Sequence, residues 1–220
     1  MAGSLYLGSQ KVCPAVLIGG GQPYDGLPTY EVVDGVVQKR SSRLTGHEFD
    51  GIRVIDGVVF SEYYSALNIS GDVVFRDLEE IKSDSMSYTF AYCEYLDGVV
   101  DFHSLKIIRE MGMPWCFYKC PNIKSVYFTS LEKVEHQALR QTFAYCGSIT
   151  DVYFNSLKTT SFDAGTNPFR GMMVYYGESV VRTLHFPSNL EPTIQALPGY
   201  PDFGGEPDYI VLAFDLPATE

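Results

Sequence analysis

TFAYC stands at residues 89–93 and again at residues 142–146, 53 positions apart in a chain of 220. Identity over five letters that include a Phe, a Tyr and a Cys points to an internal repeat rather than to chance. The interval splits into 27 and 26, and that period runs through most of the chain. A Phe recurs at Phe49, Phe75, Phe102, Phe128 and Phe154, with steps of 26, 27, 26 and 26. Three residues after each comes Ile52, Leu78, Leu105, Leu131 or Leu157, and three further on Ile55, Ile81, Ile108, Val134 or Thr160. Fifteen residues after each leading Phe stands Tyr64, Phe90, Phe117, Phe143 or Phe169, and eighteen after it Leu67, Cys93, Cys120, Cys146 or Met172. The TFAYC words are members of these last two columns. LHFPSNL, residues 184–190, is a degenerate last copy reached through an insertion around MMVYYGESVV.

The spacing inside each copy predicts its structure. Val-x-Phe alternates with period two, as a short strand with one buried face does, and the following x-x-Leu-x-x-Ile turns the chain away. Phe-x-x-Cys has apolar letters three apart, which predicts a helical or 3₁₀ turn on the opposite side. A unit this small cannot bury its apolar face alone, so the copies must stack with their strands in a parallel ladder. The expectation is an α/β repeat solenoid over residues 45–190, with about 5–6 repeats of 26–27 residues.

Two stretches, CPNIKSVYFTSLEKV (120–134) and CGSITDVYFNSLKTT (146–160), carry the fullest form of the repeat. Their consensus C-x-x-I-x-x-V-x-F-x-x-L-x-x-V resembles the BspA-type leucine-rich repeats of bacterial surface and secreted proteins. That resemblance implies a right-handed leucine-rich-repeat coil, with a parallel β-ladder on one face and short helices or 3₁₀ turns on the other. It also implies a place at a cell surface or outside the cell, and a role in adhesion. The opening YLGSQKVCPAVLIGGG is similar to the N-termini of small tail-associated proteins of phages and prophages from gut bacteria, which implies a phage particle as the alternative setting.

Residues 1–44 lie outside the repeat and read as a small β-region that caps the solenoid or attaches the chain to something else. SLYLGSQKVCPAVLI gives two strands around Gly8-Ser9, and YEVVDGVVQKR gives another pair. Residues 191–220 form a C-terminal cap, in which a Pro- and Gly-rich loop leads to YIVLAFDL, a strand expected to cover the last repeat.

Composition narrows the function classes. Sixteen Lys and Arg against 27 Asp and Glu give a net charge of −11, so nucleic acid and anionic membranes are repelled. No apolar run is long enough to insert in a membrane, and the first twenty residues show no signal-peptide pattern. A chain whose leader had been trimmed would read the same way. Cys13, Cys93, Cys116, Cys120 and Cys146 are an odd number in a chain too large to need staples, which predicts free thiols. Cys93, Cys120 and Cys146 fall in one column and read as small core residues rather than as zinc ligands, which need converging C-x-x-C pairs.

No metal or cofactor motif emerges elsewhere. His103 and His185 fall on one strand face but about 15 Å apart at ordinary strand spacing. GGGQPYDG (19–26) lacks the Lys-Ser/Thr ending of a phosphate loop and reads as a linker. DGVV, at 34, 56 and 97, reads as turn chemistry before strands rather than as calcium ligation. Asn68-Ile-Ser70 fits a glycosylation sequon. No catalytic signature is present, so the chain reads as a non-enzyme, with a hydrolase as the remote alternative.

Function is then expected on the outer side of the strand ladder. The exposed letters of successive strands give a stripe Val74, Asp101, Tyr127, Tyr153, His185, flanked by Arg76, His103, Thr129 and Asn155 on one side and by Asp72, Val99, Ser125, Asp151 and Thr183 on the other. Of these, Asp101, His103, Tyr127, Thr129, Asp151, Tyr153, Asn155 and His185 form the candidate binding face. Two stacked tyrosines among hydrogen-bonding groups suit a protein or glycan ligand. The leading expectation is a non-enzymatic binding module using this face or the loops; the alternative is a structural or receptor-binding subunit of a phage tail.

Overall fold

A computed structural model of the chain describes residues 71–158, 168–173, 180–197, 200, 201, 203 and 210–219, together with the backbone of strands within residues 4–56. Cys13, the linker at 19–26, the DGVV turn at 34, Tyr64, Leu67, the Asn68 sequon and Thr160 lie outside the described residues.

The chain forms a parallel-strand β-solenoid of about five turns. One ladder contains β6 (Val73–Val74), β8 (Val99–Asp101), β10 (Ser125–Phe128), β12 (Asp151–Phe154), β13 (Arg182–Pro187) and β14 (Ile210–Leu216). Neighbours are parallel and in register, so that Val73, Val100, Val126, Val152, Leu184 and Leu212 stand in one row. Residues repeat their letters because each coil reproduces the environment of the last. The inward Phe column shows it most clearly: Phe75, Phe102, Phe128, Phe154 and Phe186 stack with centroids 4.8, 5.0, 5.1 and 5.1 Å apart. Offset stacks of this kind add to the burial of the rings themselves.

A second ladder replaces what the sequence presents as a bare turn. β5 (Ile52–Asp56), β7 (Glu80–Ile81), β9 (Ile107–Ile108) and β11 (Lys133–Val134) run parallel, and Ile81, Ile108 and Val134 point into the core. β1 (Ser4–Leu7) joins this sheet antiparallel to β5, and β2 (Gln10–Val12) pairs with β1. β3 (Tyr30–Val33) and β4 (Val36–Lys39) form a separate antiparallel hairpin.

The third side of each coil departs from the expected helix or 3₁₀ turn. Among the described residues the only helices are a 3₁₀ turn at Ser188–Leu190 and α1 (Glu191–Gln195), both near the C-terminus. The stretches ending in the column Cys are instead ribbons of tight turns. Thr89, Ala91 and Cys93 donate their N–H groups three residues back, to Met86, Tyr88 and Phe90, whereas the intervening Tyr88, Phe90 and Tyr92 donate to Pro114, Cys116 and Tyr118 of the next coil. Each backbone donor is thus satisfied, but half of the bonds run between coils rather than along a helix. This alternation forces every fourth residue into the left-handed region: φ is 53° at Tyr88 and 62° at Tyr92, 53° at Trp115 and 56° at Lys119, and 50° at Gln141 and 61° at Tyr145. Side chains other than glycine adopt it only at a conformational cost.

The columns converge on one continuous core. Cys93, Cys116, Cys120 and Cys146 are buried free thiols. The Cys120 thiol donates to the Phe90 carbonyl and the Cys146 thiol to the Phe117 carbonyl, each at 2.9 Å, so the column letter bonds the preceding coil as well as packing in it. Burial pushes the Cys116 and Cys120 thiols well up, which leaves them without thiolate reactivity.

Candidate functional site

The strand register assembles the predicted stripe. Val74, Asp101, Tyr127, Tyr153, His185 and Ala213 occupy one row across six strands, and Val99, Ser125, Asp151, Thr183 and Val211 occupy another. Alternation along each short strand buries both neighbours of every stripe residue from Val74 to His185 and leaves the stripe residue itself partly open.

The rings of this row are stacked on one another. Tyr127 and Tyr153 lie 4.9 Å apart with planes 3° from parallel, and His185 continues the stack on Tyr153 at 4.3 Å and 10°. Strand spacing sets these distances. It follows that the ring faces are largely used within the protein, and the row turns its edges and polar tips outward. The Tyr153 phenol is held up by burial and by the nearby Asp151, Tyr127 and Asp215, so it remains a hydroxyl donor.

His185 is fixed from both sides. Its Nδ1 lies 3.0 Å from Asp215 and its Nε2 lies 3.1 Å from Asp151, so one imidazole joins β12, β13 and β14. A carboxylate accepts only, so both bonds form together when both ring nitrogens carry protons. Asp215 escaped the sequence reading; its signal was its place two residues beyond the row position Ala213, which puts it on the same strand face as His185. The Thr150 hydroxyl, 2.6 Å away, is the main cause that holds the Asp151 carboxyl below the usual range; burial opposes it, and His185 adds to the depression.

At the other end of the row, burial pushes the Asp101 carboxyl up. His103, 3.8 Å away, and the Thr129 hydroxyl at 3.4 Å oppose that shift without cancelling it. Asn155 follows β12 as a half-buried residue on the flank of Thr129. The row of stacked rings is therefore bounded by a carboxylate at each end, Asp101 and the Asp151–His185–Asp215 cluster. The DGVV turn at 97 does the work of a turn: Asp97 accepts the Gly71 N–H and Asp72 the Val99 N–H, both at 2.9 Å. Any Cβ at Gly98 would collide with Asp72 and with the Gly71 backbone.

The second ladder carries its own charged row. Arg109 bridges Glu80 at 2.7 Å and Glu135 at 3.0 Å, and Lys133 adds a contact to Glu135 at 3.2 Å. These pairs tie successive coils to one another. They read as structural.

The turn side holds the feature that the sequence concealed. Tyr88 stacks on Trp115 at 5.2 Å and 8°, and Tyr118 meets Tyr92 and Tyr145 edge to face at 5.6 and 5.3 Å. The Lys119 ammonium sits among three of these rings, 5.5 Å from Tyr92, 5.4 Å from Tyr118 and 5.7 Å from Tyr145. Among the described residues no group of three or more His, Cys, Asp or Glu side chains is placed to hold a metal ion, and no helix is long and apolar enough to cross a membrane. Comparison of the chain with protein-family models, with curated proteins and with solved structures gives no match.

Proposed function

We propose that this chain is a non-enzymatic recognition module of the leucine-rich-repeat kind found on bacterial surfaces, and that it takes a protein or glycan chain along the strand face. The observation that carries this reading is the row Asp101–Tyr127–Tyr153–His185, set in register and locked by the bonds from His185 to Asp151 and Asp215. Such a row is rigid before any ligand arrives, so little ordering opposes binding. Asp101 adds support, because a carboxylate held in a place that disfavours its charge is found more often at working sites than elsewhere.

The stack decides what kind of contact the face makes. With ring faces turned toward each other, hydrogen bonds from the Tyr127 and Tyr153 hydroxyls and to the Asp101 and Asp151 carboxylates dominate over stacking on the ligand. Thr129, Asn155 and His103 extend the same polar face along the flank. A glycan array and a bacterial-cell binding assay with the labelled protein test this reading. The Tyr127→Phe/Tyr153→Phe pair keeps the stack and removes both hydroxyls; about tenfold weaker binding is expected if each hydroxyl contributes ~0.7 kcal/mol. Unchanged binding by the alanine pair at the same positions would remove the face from consideration.

The second reading, a phage tail subunit with residues 1–44 as its anchor, draws on the β3–β4 hairpin, which pairs with neither solenoid sheet among the described residues. Purification of the full chain with tail proteins encoded beside it would support that reading, and loss of the complex on replacing residues 30–39 by a glycine-serine linker would locate the anchor.

A further inference from the structure

The tyrosine of TFAYC is not part of the buried column. Tyr92 and Tyr145, one from each copy of the word, hold the same repeat position on either side of the intervening coil, where that position is Lys119. Tyr118 lies between them because the matching positions of the flanking coils are the small buried residues Ala91 and Ala144. Tyr118 is turned 74° from Tyr92 and 77° from Tyr145, which gives a box with two walls and a floor. Lys119 is exposed on the turn side and reaches back into this box.

We propose that Tyr92, Tyr118 and Tyr145 form a binding site for the trimethylammonium group of a choline-type ligand, with Lys119 as the resident cation that the ligand displaces. The dimensions favour that group over a bare ammonium. Carbon atoms in contact lie about 3.5–4.0 Å apart, and a C–N bond adds roughly 1.5 Å. A nitrogen whose methyl groups rest on the rings therefore sits about 5.0–5.5 Å from them. The Lys119 nitrogen is 5.4–5.7 Å from the three centroids, at the outer end of that distance and within the ~6 Å at which a ring attracts an ammonium; the methyl groups of a quaternary nitrogen reach across the gap that the ammonium leaves. Rings present their negative faces to a cation without hydrogen bonds, which suits a quaternary nitrogen that has no N–H to donate.

The net charge of −11 agrees, since it draws cations toward the protein as a whole. The site lies on a different side of the coil from the strand face and does not depend on the reading of that face.

Titration of the full chain with tetramethylammonium chloride and with choline chloride, followed by NMR of the tyrosine ring resonances against a sodium chloride reference, tests the proposal. Saturable shifts confined to Tyr92, Tyr118 and Tyr145 are expected with both salts. Lys119→Ala should tighten binding roughly two- to fivefold, the factor by which an exposed cation–π contact holds the lysine in place. Tyr118→Leu, and independently Tyr145→Leu, should abolish saturation while the ring stack of Tyr127 and Tyr153 keeps its native shifts, which confirms that each variant is folded. Methylammonium should bind more weakly than tetramethylammonium. The proposal is overturned if tetramethylammonium behaves as sodium does in both the wild type and Lys119→Ala, or if methylammonium binds as well as the quaternary ion.

Discussion

The His185 ring lies flat on Tyr153 at 4.3 Å and bonds Asp151 through Nε2 at 3.1 Å. One residue thereby continues the tyrosine stack and, through Asp215, fastens the last strand of the ladder. His185→Phe keeps the ring and deletes both bonds. A loss of about 1 kcal/mol in urea unfolding is expected, because bonds to charged groups are strong but Asp215 is more than half exposed, which weakens its share. The variant also changes the acid limb. Asp151 titrates below its ordinary range in the folded protein, so its contribution is fully present above the unfolded value of about 3.9 and is lost as pH falls through the lower folded value. Removing His185 takes away one cause of that depression, and the stability lost between about pH 4 and pH 2 should be smaller in the variant. Identical acid limbs would show that His185 does not act on Asp151.

Asp101 has the opposite sign. Burial raises its folded pKa, so its ionised form opposes folding above that value, and the opposition fades as pH falls through the folded value toward the unfolded one. Asp101→Asn retains an acceptor for Thr129 and removes the charge. The expected result is a protein more stable than the wild type at pH 7, with the difference shrinking to nothing below about pH 4. The same substitution should weaken ligand binding on the strand face. A variant that is more stable and less active is the mark of a carboxylate kept for function; one that is less stable at pH 7 would mean that Asp101 serves the fold through His103 and Thr129.

The inward columns were legible because burial repeats with the coil: Phe75, Phe102, Phe128 and Phe154 are each fully buried, and so are Leu78, Leu105, Leu131 and Leu157. The stripe Tyr127–Tyr153–His185 followed from the same period. The second ladder was not legible, since β7, β9 and β11 are two residues long and show one buried letter each, too few for an alternation to appear. Phe-x-x-Cys could not separate a helical turn from a turn ribbon, because both place the two letters on one side. The deciding bonds, such as Phe90 to Cys116 and Phe117 to Thr142, join different coils. Asp215 lay hidden for a similar reason: it meets His185 from 30 residues away, beyond a Pro- and Gly-rich stretch. The tyrosine box was hidden inside the word that revealed the repeat, because the period shows in the buried Phe and Cys and not in the half-buried Tyr between them.

The turn ribbon makes a prediction that a helix would not. Asp84 is exposed, stands at φ 54°, and gives its N–H to Glu110 of the next coil at 3.4 Å. The matching residues of the following coils, Met111 and Gln137, have φ of 52° and 51°, so the conformation belongs to the repeat rather than to aspartate. Glycine at position 84 relieves a left-handed cost but gains freedom in the unfolded chain, and the two nearly offset; Asp84→Gly should change stability by less than about 0.5 kcal/mol. Valine cannot offset it, because a β-branched side chain is a marked outlier at positive φ. Asp84→Val should therefore lose ~1–2 kcal/mol although the position is exposed. In a helical turn the order would reverse, with glycine the more damaging of the two by its poor propensity. Urea unfolding of the two variants side by side decides it: valine as well tolerated as glycine at position 84 would mean that the left-handed turn is not the geometry this side of the coil adopts.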